Sequence, residues 1–227
     1  TRRQLKAAAE RWLSNGDYNL VIKPQKSYQV AEHGADRSSL PSPGAVPVLN
    51  LPEPEEFFLS NGLRVLFTQR SAVPVTEILM QFGSGYAADP SNQLGIASVT
   101  AAMLDEGAAN MSALDIADKL EMLGAGISVS ASLDSSTVSL SALDDNFEAS
   151  LALFSNVIRQ PDFPEDELKR VKSNWLDKIV QEQASPFSIA LRRLPPLLYG
   201  EDHVYGIPFT GSGYKDTVSS IERNHLI

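Results

Sequence analysis

The 227-residue sequence contains no cysteine, which removes disulfides, thiolate nucleophiles and cysteine-based zinc sites together. That absence does not choose a compartment, since cytosolic and periplasmic proteins both tolerate it. Histidine is almost as scarce. His33, His203 and His225 share no helical spacing, so a histidine-based metal centre here would need long-range convergence; surface and turn positions are the default. Positive charge is short as well: 19 Lys and Arg stand against 28 Asp and Glu, a formal net charge of −9. A nucleic acid or an anionic membrane surface would need a basic patch, and none is present. No apolar run reaches the ~18 residues that a membrane-spanning helix requires. The chain opens Thr1-Arg2-Arg3, without an initiator Met or a signal peptide's apolar stretch, and is read as starting within a longer protein.

What is present falls into three parts. In residues 3–13, Leu5, Ala8, Ala9, Trp12 and Leu13 recur at helical intervals, and Gly16 can close that helix. Residues 18–22 follow as a short strand ended by Pro24. One helix and one strand cannot bury their apolar faces alone, so residues 1–24 read as the tail of a preceding domain. Residues 25–55 lose all periodicity. Pro41, Pro43, Pro47, Pro52 and Pro54 lie there among Ser, Gly and Ala, a composition expected of an interdomain linker.

The third part, residues 56–227, carries a series of clear local signals. Strand-like runs at 57–60 and 63–69 flank Asn61-Gly62, which predicts a hairpin with a type I′ turn. Residues 75–82 form a further strand, and Gly83-Ser84-Gly85 with Asp89-Pro90 leads into a helix at about 94–105. Ser112 caps another helix to Leu123, with Asp115 three residues on as a capping-box partner. Residues 127–133 and 136–143 alternate apolar and hydroxyl side chains at period two, predicting a half-buried hairpin around Asp134-Ser135. Residues 146–157 are amphipathic. Pro164 opens a long helix to about Gln183, Pro186 interrupts it, and a last helix is expected to end at Pro195-Pro196. The order of strands, helices, strands, helices predicts an α+β domain.

No short motif here supplies chemistry by itself. Gly95-Ile96-Ala97-Ser98-Val99 lacks the second glycine of a nucleophile elbow. Gly83-Ser84-Gly85 and Gly124-Ala125-Gly126 are too short to cradle phosphate, and are turn glycines. The neighbours Asp105-Glu106 and Asp144-Asp145 read as capping and solvated carboxylates, as does Asn110-Met111-Ser112 as the lead-in to a helix rather than an acceptor sequon. Arg170, Lys172 and Lys178 interleave with Asp177 and Glu182 as an ordinary solvated helix face.

The ordered set of segments nevertheless resembles one family. These are Leu59-Ser60-Asn61-Gly62-Leu63-Arg64-Val65, Gly83 through Pro90, Gly95-Ile96-Ala97, Leu104-Asp105-Glu106-Gly107-Ala108, Leu123-Gly124-Ala125 and Tyr205-Gly206-Ile207-Pro208. Together they resemble the amino-terminal lobe of insulinase/pitrilysin-type zinc peptidases, a group that includes the mitochondrial processing peptidase. The resemblance implies a lobe with a mostly antiparallel sheet and helices packed on one face. Active members carry H-x-x-E-H on the helix that follows Gly95-Ile96-Ala97. There, two histidines one turn apart hold zinc and the Glu polarises water, while a Glu from a later helix is the third ligand. In this sequence those positions read Ser98, Ala101 and Ala102, with Lys178 at the third-ligand position and Asp177 one residue away.

The resemblance therefore implies a chain without catalytic, cofactor-binding or metal residues of its own. Zinc is expected in an active homologous half of the same polypeptide or of a partner subunit. This lobe would enclose peptide substrate and support that half. It also implies truncation before the lobe's last helix and strand, and a bacterial, periplasmic setting for the parent. Two rival readings stay open: an active lobe whose ligands, such as His203 or His225, lie elsewhere, and a pure interaction module with no peptidase partner.

Overall fold

In the computed structural model, residues 1–14, 16, 19–23, 44 and 52–227 are described. The chain divides into two compact units, residues 1–67 and 68–227.

The first unit contains helix α1 (Arg2–Leu13). Thr1 caps it: its hydroxyl accepts from the Gln4 backbone N–H, and Gln4 reciprocates toward the Thr1 amine. Leu5, Trp12 and Leu13 are exposed on it. Residues 19–23 have no regular structure, so the expected strand at 18–22 is not formed over the part described. Tyr18 and almost all of the 25–55 segment lie outside the described residues. The unit also holds the antiparallel hairpin β1 (Glu55–Phe58) and β2 (Arg64–Phe67). The expected type I′ turn is corrected. Leu59 N–H bonds to Leu63 O, and Gly62 alone takes a positive φ, 84°, so the loop has three residues with glycine in the left-handed position. Asn61 contributes instead by accepting the Leu63 N–H on its side chain.

In the second unit, β3 (Val75–Phe82) pairs antiparallel with β7 (Ser136–Leu143), which pairs antiparallel with β6 (Gly126–Ala131). Register puts Ile78, Leu140 and Ile127 side by side, with Met80, Val138 and Val129 in the next row of that face. This face packs on Phe147, Phe154 and Ile158 of α4 (Phe147–Arg159). The opposite face carries Ser128, Ser139, Ser141, Thr137 and Ser130, which is the period-two pattern made physical. Helix α3 (Ala113–Leu123) starts with the Ser112–Asp115 capping box and stops at Gly124, φ 62°. Just before it, β4 (Gly107–Ala108) and β5 (Met111–Ser112) form a small hairpin absent from the sequence expectation, turning through Ala109 and Asn110, both at positive φ.

Helix α2 (Ile96–Met103) runs against α5 (Glu165–Ala184) in the main core. That core comprises Val99, Met103, Phe163, Leu168, Val171, Ile179, Val218, Ile221 and Leu226. Three acidic residues fill the first turn of α5 and complement its dipole. Helix α6 (Pro186–Tyr199) runs through Pro195 and Pro196 rather than ending there. A proline at 195 removes the N–H that would bond the Leu191 carbonyl. Phe209 N–H takes that carbonyl at 2.9 Å, so the missing bond is replaced from outside the helix. A one-turn helix, α7 (Lys215–Ser219), was too short to leave a periodic signal. The result is an α+β unit of antiparallel strands with helices on one face, as the resemblance implies.

Candidate functional site

The helix carrying the motif positions begins at Gly95, whose φ of 99° only glycine adopts cheaply. Its first N–H groups are satisfied by Asp89, which accepts from Gly95 N at 2.7 Å and Ala97 N at 3.1 Å. Burial pushes the Asp89 carboxyl up to about 6, against the opposing pull of those N–H bonds.

Ser98 and Ala102 stand one turn apart on α2, with Ala101 between them. Ser98 is 8% and Ala101 7% exposed, while Ala102 is half-buried against the main core. A hydroxyl and two methyls are thus presented where the resemblance puts two imidazoles and a carboxylate. Lys178, on α5, is exposed, and its Nζ sits 4.3 Å from the centre of the Trp175 ring. Asp177 is exposed too. Packing of α2 on α5 brings the two helices together, but neither Asp177 nor Lys178 has a titratable partner on α2 between Ile96 and Met103, which carries none. Among the described residues, no group of three or more His, Asp or Glu is placed to hold a metal ion. His203 accepts the Tyr205 N–H on Nδ1 and stacks on Tyr199 with ring centres 5.4 Å apart; His225 accepts the Glu222 N–H. Both serve local turns. His33 lies outside the described residues. Glu106 is engaged by Arg170 at 2.5 Å, and Asp144 accepts from the Thr76 hydroxyl at 2.7 Å.

What the sequence did not disclose is a buried polar hub beside α2. Glu182 on α5 and Arg192 on α6 form an ion pair at 2.8 Å, with side chains only 9% and 8% exposed. Ser212 donates to the same Glu182 oxygen at 2.6 Å and accepts from Arg192 at 2.7 Å. Arg192 also donates to Gly213 O at 2.8 Å and lies 5.4 Å from the centre of the Tyr214 ring. The Trp175 indole donates to Ser212 O at 3.0 Å. These groups are far apart in sequence, and only Arg192 on the otherwise apolar inner side of α6 hinted at a buried partner. Beside the hub, an open groove of about 1380 Å³ is lined by Asp89, Leu94, Ile189, Arg193, Val204 and Tyr214, among others.

Comparison with known proteins agrees with this architecture. Residues 64–204, more than half of the chain, match the family model described as insulinase, peptidase family M16. A "non-peptidase homolog YmxG" of Helicobacter pylori is 24% identical over 162 residues, covering 71% of this chain and 37% of that protein. An "uncharacterized zinc protease YmxG" of Bacillus subtilis is 23% identical over 172 residues, covering 76% and 41%. A crystal structure of a "peptidase M16 inactive domain" from Pseudomonas fluorescens superposes with a TM-score of 0.72 at 31% identity, over 76% of this chain and 42% of that one. The chain thus spans about two-fifths of the length of these relatives. No helix among the described residues is long and apolar enough to cross a membrane. The chain belongs to the insulinase family, peptidase family M16.

Proposed function

We propose that this chain is the non-catalytic half of an M16 metallopeptidase, supplying structure and substrate enclosure while a homologous half carries zinc and hydrolyses the peptide bond. One observation carries the reading: α2 offers Ser98, Ala101 and Ala102 where the family's chemistry needs two nitrogen ligands and a carboxylate. Methyl groups neither ligate nor move protons. Lys178, at the third-ligand position, is a cation spread over an indole ring rather than a metal-directed anion. The neighbouring domain from Pseudomonas fluorescens, itself named inactive, supports the same division of labour.

On this reading residues 1–24 belong to a preceding lobe, 25–55 are a linker, and 56–227 are a lobe of the family. The parent is a bacterial protein, set in the periplasm by analogy with the family resemblance. The test is complementation: the zinc-bearing half is assayed on long peptides alone and with this lobe added in trans. A clear gain on addition is expected. A half that works at the full parent rate, with no gain from the lobe, would sink the enclosure role.

The name of the Helicobacter relative favours one alternative, an interaction module with no peptidase partner. An H-x-x-E-H in the sequence preceding Thr1 would decide against it.

A further inference from the structure

Segment 208–214 crosses the start of α2 and touches it backbone to backbone. A Cβ on Gly213 would lie 1.9 Å from the Leu94 carbonyl oxygen, and one on Gly95 2.9 Å from the Ser212 carbonyl. A Cβ on Gly211 would sit 2.7 Å from the Tyr86 ring and 3.3 Å from the Ser98 hydroxyl. Gly95, Gly211 and Gly213 all have positive φ, so the close approach is built from residues without side chains. Gly211 thus lies against Ser98, which is 8% exposed.

The attachments of the segment are polar. Phe209 N–H takes the proline-orphaned Leu191 carbonyl, and Tyr86 donates to Phe209 O at 3.1 Å. Thr210, Ser212 and Gly213 all bond Arg192, and Ser212 bonds Glu182. Just beyond, the Thr217 hydroxyl donates to Leu94 O at 2.7 Å. Of the segment's side chains none belongs to the main apolar core, which is joined again only at Val218. Pro208, at its start, is fully buried, and the rest of the segment is held mainly by hydrogen bonds, several of them to Arg192, so it opens locally before the core does.

We propose that segment 208–214 is a latch over the Ser98 face of α2, that Arg192 is its keeper, and that the latch opens as a unit while the sheet stays folded. The proposal stands on this geometry alone and does not depend on the assignment of the motif positions. It makes the Ser98 face a surface that the molecule can cover or uncover, rather than a permanent part of the interior.

The absence of cysteine gives a clean probe. Ser98→Cys places a near-isosteric thiol beneath the latch, and Ser150→Cys places one in a fully buried site on α4. Each is reacted with a maleimide across a series of urea concentrations below the unfolding transition. Under the proposal, the Ser98→Cys thiol reacts much faster than the Ser150→Cys thiol and with a shallower urea dependence. Adding Arg192→Leu accelerates it by about tenfold or more, as expected for losing charge-assisted bonds. Leu140→Ala, in the sheet, accelerates only the Ser150→Cys thiol. Should Arg192→Leu fail to fold, Ser212→Ala breaks the same hub more gently and carries the same expectation. Equal rates with equal urea dependence for both thiols would show that only global unfolding uncovers Ser98. No acceleration by either hub variant would likewise overturn the latch.

Discussion

Removing one member of the Glu182–Arg192 pair should destabilise the lobe at least as much as removing both. The two side chains are 9% and 8% exposed and 2.8 Å apart, so water cannot replace a lost partner. In Arg192→Met, the Glu182 carboxylate keeps only the Ser212 hydroxyl, while Thr210 and the Gly213 carbonyl lose their donor. An uncompensated buried charge of this kind costs about 3–5 kcal/mol. Glu182→Leu strands the guanidinium instead, but leaves it Thr210, Ser212 and Gly213 O, so its cost is at the low end, about 3 kcal/mol. In the double variant no charge remains buried, and apolar side chains of similar volume fill the space. Its total cost should be about 3 kcal/mol or less, giving a coupling of about 3 kcal/mol or more between the two sites. Urea titration of the wild type, both single variants and the double variant, followed by circular dichroism, measures all four corners. Single costs below about 1 kcal/mol each, or a double cost equal to their sum, would show that the pair is solvated in solution and that the hub does not hold the loop.

Gly213→Ala should lower the thermal midpoint markedly, because the new Cβ meets the Leu94 carbonyl and the backbone there has φ 68°; a calorimetric midpoint within error of wild type would count against the packing described. Ala101→Leu should cost about 1–3 kcal/mol by overpacking a position 7% exposed, and an unchanged urea midpoint would mean that α2 has room on that face. Acidification should stabilise the lobe through Asp89. Its folded value of about 6 lies above the ordinary 3.8, so the folded state holds the proton more tightly; the gain is complete below the ordinary value and is lost as pH rises through about 6. Asp105 is raised by burial in the same direction. Urea midpoints should rise from pH 7.5 toward 5, and Asp89→Asn should flatten that rise; the opposite slope would mean that the N–H bonds to Asp89 outweigh its burial.

Local chemistry made much of this fold legible. The Ser112–Asp115 capping box, the Gly124 stop and the alternating hydroxyls of 127–143 all act within a few residues, and all appear as expected. Asn61-Gly62 placed the hairpin but not its loop length, because a type I′ turn and a three-residue loop with glycine in the left-handed position share that dipeptide. The proline pair misled for a tertiary reason. Pro195 breaks a bond inside α6, and a partner fourteen residues later, Phe209, replaces it. The hub was hidden in the same way, since Glu182, Arg192 and Ser212 lie on three different segments, and Glu182 by itself reads as part of a solvated helix face. The assignment of Ser98, Ala101 and Ala102 to the motif positions rests only on the order of segments around them, because serine and alanine on an apolar helix carry no signal of their own.

The central claim is that this half has no zinc chemistry of its own, and metal analysis of the purified chain tests it most directly. After exposure to zinc and removal of the excess by gel filtration, elemental analysis should find only substoichiometric metal. The peptide-hydrolysis background of the preparation should be indifferent to a chelator. One tightly held zinc per chain, together with hydrolysis that a chelator abolishes and zinc restores, would contradict the account.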